Sequence, residues 1–127
     1  MFRTPFAAAA MLAATLAAAH AEGDVTAGKV VFKKCMACHE ATGDKIKVGP
    51  PLEGVVGRAA GAYPGFKYSK NMIELGEAGL VWDEEHLAKY LRKPKDVVPK
   101  GTMAFAGLSK DDDIEDVIVY LKADPKP

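Results

Sequence analysis

The 127-residue chain has little of what marks a stapled or nucleic-acid-binding protein. It holds two cysteines, one tryptophan and three histidines, and its 17 Lys and Arg are matched by 17 Asp and Glu. Two cysteines close one disulfide at most, so no disulfide framework can stand in for a core. Balanced charge excludes the strongly basic surface on which nucleic-acid binders rely, and no nucleic-acid partner is expected. Beyond residue 21 no apolar run approaches the roughly 20 residues of a membrane helix, so no stable membrane insertion is predicted. Strand-like alternation and internal repeats are missing as well.

The one long apolar run lies at the N-terminus. Arg3 precedes a stretch of Phe, Ala, Leu and Met from Phe6 to Ala19, which closes on Ala19-His20-Ala21. That order is the charged, apolar and A-x-A pattern of a secretory signal peptide. About 14 residues, mostly alanine, are too few for a comfortable membrane span. Residues 1–21 are therefore expected to be a cleaved signal peptide, and 22–127 one small exported domain.

What remains reads as helix and loop, an all-α class. Asp24 can cap a first helix whose Val25, Gly28, Val31 or Phe32, and Cys35 recur on one face. From Glu40 to Tyr68, glycine and proline predict a long ordered loop. Ser69 opens a short helix stopping near Gly76. Asp83 caps another, with Leu87, Tyr90 and Leu91 inward, and Pro94 ends it. A second loop runs from Lys95 to Leu108. Ser109 with Asp112 three residues on predicts a capping box for the last helix, whose stripe is Ile114, Val117, Ile118 and Leu121.

Inside the first helical stretch and just after it stands Cys35-Met36-Ala37-Cys38-His39. A redox C-x-x-C expects a βαβ pattern, and a structural zinc site expects four protein ligands, usually a second Cys or His pair; neither is in the sequence. C-x-x-C-H is instead the signature of covalent c-type haem attachment. Two thiols one turn apart can each add to a vinyl group of one porphyrin, and the adjacent His39 then faces the iron. Methionine is the usual partner of histidine in electron-carrying c haems. Met36 lies on the histidine side, and Met72 falls in an amphipathic segment suited to core packing. Met103, in the second loop, is expected to be the sixth ligand. A six-coordinate iron leaves no place for substrate, so an electron carrier and not an enzyme is predicted.

From about Gly23 to Lys122 the chain resembles the class I cytochromes c, close to the bacterial cytochromes c2 and mitochondrial cytochrome c. The likeness is carried by Gly28-Lys29-x-x-Phe32, by Val48-Gly49-Pro50-Pro51-Leu52-x-Gly54-x-x-Gly57-Arg58, by Pro64-Gly65-Phe66-x-Tyr68, by Trp82 and by Glu85-x-Leu87-x-x-Tyr90-Leu91-x-x-Pro94. It implies the small class I fold, in which N- and C-terminal helices cross at Gly28 against Tyr120 and loops wrap one haem c. It also implies that Pro50 C=O accepts from His39, that Arg58, Tyr68, Trp82 and Thr102 sit near the propionates, that Tyr90 lies beside the methionine sulfur, and that Phe105 shields the haem edge. The threonine is displaced by one place, because the family's Pro-Gly-Thr-Lys-Met is here Pro99-Lys100-Gly101-Thr102-Met103. The segment from Tyr68 to Trp82 is about three residues longer than in the mitochondrial proteins, so Asn71 aligns poorly with the family's buried asparagine, and whether it keeps that role is open. Lys34, Lys47, Lys95 and Lys110 match part of a lysine ring for transient docking on redox complexes. The implied role is a soluble, monomeric, periplasmic shuttle from a cytochrome bc1-type donor to an oxidase or photosynthetic reaction centre. The alternative is a dedicated electron-transfer subunit of a periplasmic dehydrogenase.

Overall fold

Five helices occur among the residues described by the computed structural model, 23–127: α1 Val25–Phe32, α2 Lys70–Glu77, α3 Glu84–Arg92, α4 Pro94–Val97 and α5 Asp111–Lys122. The expected signal peptide lies outside the described residues. No strand forms among them; Ala59 and Val81 make a single antiparallel bridge. No helix among them is long and apolar enough to cross a membrane.

α1 begins where Asp24 accepts from Thr26 N–H at 2.7 Å and Ala27 N–H at 3.1 Å, which satisfies two orphan amides of the first turn. The Asp24 amide in turn donates to Asp116 Oδ1 of α5 at 2.7 Å. α1 and α5 form the principal helix pair of the fold. Gly28 is their point of closest approach: a Cβ there would sit 2.6 Å from the Asp116 carbonyl carbon and 2.7 Å from Tyr120 Cβ. The rings of Phe32 and Tyr120 meet at 5.5 Å. Val31, Phe32, Ile114, Val117, Ile118, Tyr120 and Leu121 are buried around this crossing. Each large apolar side chain so buried contributes roughly 1.5–3 kcal/mol.

The long loop is stapled to the structure around it, so it needs no regular elements of its own. Leu52 N–H bonds Glu40 O at 2.8 Å, and Gly43 N–H bonds Glu53 Oε2 at 2.6 Å. Gly57 N–H to Trp82 O, Trp82 N–H to Arg58 O and Ala60 N–H to Leu80 O, at 2.7–2.9 Å, tie 57–60 to 80–82. α2 starts at its Ser69 cap and α3 at its Asp83 cap, as their sequences predict.

Two expectations are corrected. The stretch from Lys95 to Leu108 is not loop throughout, because Pro94 opens the short helix α4 with its ring at the first helical position, where no amide is needed. Ser109 does not cap the last helix; Lys110 occupies the N-cap and makes no side-chain cap bond. Asp111, Asp112 and Asp113 fill the first turn, so helix-dipole charge and the Asp111–Arg92 ion pair take the place of a hydroxyl cap.

Candidate haem site

The attachment turn continues α1 directly. Cys35 N–H bonds Phe32 O at 2.8 Å, and the amides of Cys38 and His39 return to Cys35 O at 3.1 and 2.9 Å. Both thiols are thereby held on one turn, half-buried and not bonded to each other. Burial pushes the Cys35 thiol up, its neighbour Cys38 adds to this, and Lys34 offsets part of it.

His39 Nδ1 lies 2.7 Å from Pro50 O. A carbonyl oxygen only accepts, so Nδ1 carries the hydrogen and Nε2 keeps the free lone pair. Burial lowers the imidazole pKa; the Pro50 bond opposes this, and Lys47 and Arg58 reinforce it. The neutral ring is the metal-ligating form, and its second nitrogen is already oriented. Gly49 lies against this ring, and its amide bonds Cys38 O at 2.8 Å. A Cβ on Gly49 would stand 2.7 Å from His39 Nδ1 and 2.9 Å from Nε2. Only glycine leaves room for the imidazole there.

Met103 lies between two clasps of the second loop. On one side Gly101 N–H closes a turn on Val98 O at 3.0 Å. On the other Leu108 N–H bonds Leu91 O at 2.7 Å, and Gly107 adopts φ +118°, a left-handed value, with the Arg92 carbonyl against its Cα. The Tyr90 hydroxyl, from α3, donates to Met103 Sδ at 3.7 Å. Its ring packs against Trp82 at 4.7 Å, and burial pushes the hydroxyl up to about 12, so it remains a donor through the physiological range. Met72 packs against the core instead.

Arg58 donates to Pro51 O at 3.2 Å and Glu53 O at 3.5 Å, and its guanidinium stands 5.1 Å over the Tyr63 ring. The Tyr68 hydroxyl oxygen accepts Tyr63 N–H at 3.0 Å, Phe66 meets its ring edge-on at 4.8 Å, and burial raises its pKa. Phe105 is half-buried against the core, whereas Thr102 is exposed. Among the expected docking lysines, Lys34, Lys95 and Lys110 are exposed. Lys47 is half-buried, donates to Met36 O and pairs with Glu40 at 3.7 Å. Lys95 donates to Gly101 O at 3.0 Å. The sequence pointed to neither Tyr63 nor Gly49 as a positioning element, and it left the role of Asn71, whose Oδ1 holds the Lys100 amide at 2.9 Å, open. Their partners are set by chain closure and leave no local signature.

An imidazole with its Nε2 presented, a thioether held by a hydroxyl and two thiols on one turn form a donor set that suits haem c. Comparison with known proteins agrees. Residues 25–123 match the family model for cytochrome c. The chain is 50% identical over 99 residues to the cytochrome c2 of Afifella marina, covering 77% of this chain and 80% of that one. It is 45% identical over 109 residues to the cytochrome c2 of Agrobacterium tumefaciens (strain II Chrys), covering 84% and 98%. The solved cytochrome c2 from Rhodospirillum centenum superposes with a TM-score of 0.74 at 41% identity, covering 79% of this chain and 97% of that one.

The chain belongs to the cytochrome c family, as a class I c-type cytochrome. Within that class its resemblance is to the cytochromes c2. The family binds covalent haem c with iron, and Cys35 and Cys38 fit its C-x-x-C-H motif; the chain is an electron carrier.

Proposed function

We propose that the chain is a soluble, monomeric, single-haem shuttle of the periplasm, exported by residues 1–21 and cleaved after Ala21. It takes single electrons from a cytochrome bc1-type complex and delivers them to an oxidase or photosynthetic reaction centre. Cys35 and Cys38 would bond the haem, and His39 and Met103 would ligate its iron. The haem, when bound, supplies a one-electron iron couple. The observation that carries this reading is that each proposed axial donor is oriented by a hydrogen bond of its own, His39 to Pro50 O and Met103 from Tyr90.

The chain's own residues do the rest. Pro50 C=O fixes the His39 tautomer and raises the basicity of Nε2. Tyr90 orients the Met103 sulfur and draws electron density from it, and a thioether ligand raises the potential relative to a harder one. With His39 and Met103 both ligating the iron, no position would be left there for a substrate. Arg58, Tyr68, Trp82 and Thr102 would face the propionates of a bound haem, and Phe105 would cover its edge. Exposed Lys34, Lys95 and Lys110, with Lys47 at the margin, form the docking face.

Met103→Ala should abolish the methionine–iron charge-transfer band of the oxidised protein and lower the reduction potential. Met72→Ala should leave both in place. The reverse pattern would show that the ligand is misassigned.

A further inference from the structure

We propose that Asn71 is a positioning residue: its side-chain amide latches the Met103 segment to α2 and sets how often that segment opens. This rests on the reading of Met103 as an axial ligand. Val98–Gly101 is a four-residue turn anchored by Val98, which is 2% exposed. Within such a turn the last amide bonds back to the first carbonyl, and Pro99 in the second place has no N–H. The Lys100 amide is thus the donor this turn leaves over. Asn71 Oδ1 accepts it at 2.9 Å, across 29 positions of sequence.

The acceptor is firmly mounted. Asn71 stands in the first turn of α2, where the Met72 amide bonds the Ser69 hydroxyl at 3.1 Å. α2 is seated against segment 60–61 so closely that a Cβ on Gly76 would overlap the Ala60 carbonyl. At Gly61 a Cβ would lie 3.1 Å from Ile73 Cα and 3.2 Å from Met72 O. Apart from the Tyr90 bond to Met103 and the packing of Phe105 on the core, the segment it holds has few tethers. Among the described residues, no backbone–backbone hydrogen bond involves any position from Thr102 to Gly107. Lys95 Nζ also reaches this turn, at Gly101 O, but from an exposed and flexible side chain. The Asn71 bond is exposed as well, yet it is the better tether, because the short side chain of half-buried Asn71 gives up less entropy than the long lysine stem.

One such bond is worth on the order of a 3- to 10-fold change in the opening equilibrium. The test uses oxidised holoprotein as wild type, Asn71→Ala and Asn71→Asp, the last of which keeps an acceptor oxygen. Asn71→Ser, whose hydroxyl ends short of Lys100, serves as the second variant should alanine fold poorly. Two readouts are taken: hydrogen exchange at the Lys100 amide, and the rate of imidazole uptake at saturating imidazole, where opening of the segment limits it. Asn71→Ala, or Asn71→Ser in its place, should speed both by that factor and keep the methionine–iron band, and Asn71→Asp should restore most of the loss. Unchanged Lys100 exchange would overturn the latch, as would faster exchange with unchanged imidazole uptake. A wild-type holoprotein lacking the methionine–iron band would sink the ligand assignment instead, and Lys100 exchange would still judge the latch.

Discussion

The Tyr90 hydroxyl serves two neighbours from one place, since its ring packs on Trp82 and its O–H donates to Met103 Sδ. Burial raises its pKa from 10 to about 12, so the folded state holds this proton more tightly than the unfolded chain. The folded state therefore loses stability as pH rises through that window and keeps the full contribution below it. A shift of about two units corresponds to on the order of 2–3 kcal/mol. Wild-type holoprotein should lose both denaturant stability and the methionine–iron band between pH 10 and about 12. Tyr90→Phe should make both nearly flat over that range relative to wild type, while at neutral pH it weakens the band. An unchanged alkaline loss in Tyr90→Phe would show that another group titrates there.

At the scale of elements, the α1–α5 crossing decides whether the ends of the chain meet. Gly28→Ala would place a methyl group against the Asp116 backbone and Tyr120 Cβ, and neither can yield without moving α5. Overpacking of this kind costs about 1–3 kcal/mol. In a domain of this size that lowers the melting temperature by roughly 4–8 °C per kcal/mol. Thermal unfolding of the holoprotein measures it, and Ala27→Gly, on a half-buried neighbour of the same helix, is the control for helix propensity. A Gly28→Ala protein as stable as wild type would show that the helices slide apart at little cost. The last helix carries a further lesson. Ser109 and Asp112 have the spacing of a capping box, yet the helix begins one residue later. Leu108, buried and bonded to Leu91, holds the chain extended through this point, and three aspartates in the first turn already satisfy the dipole.

At the scale of the whole molecule, near-zero formal charge leaves steering to the distribution of charge. If the docking face gathers Lys34, Lys95 and Lys110, association with a membrane redox partner should slow markedly from 0.01 to 0.15 M salt. Over that range the Debye length falls from roughly 30 Å to about 8 Å. Lys34→Glu should slow it further. Lys126→Glu, near the C-terminus where the ammonium bonds Ala123 O, should do little. Lys95 has two duties, docking and the Gly101 tether, so Lys34 is the cleaner test. A bimolecular rate flat in salt, measured by flash photolysis or stopped flow, would leave these lysines as ordinary solvated charge.

The attachment motif, the helix starts at Asp24, Ser69 and Asp83, and the all-α class were legible in the residues themselves. Each depends on neighbours a few positions apart: thiol spacing along one turn, a side chain reaching its own next amides, a stripe repeating at helical period. The resemblance carried further, to Pro50, Tyr90 and the crossing at Gly28. Local rules failed where distant segments compete for the same atoms. The Pro50 carbonyl reaches His39 across 11 positions, Tyr90 reaches Met103 across 13 and Asn71 reaches Lys100 across 29. The sequence by itself determined what chemistry the chain can hold. Only the tertiary structure decided which groups aim it, because those partners lie far apart in sequence and meet only where α1 packs on α5 and the loops are held by distant segments.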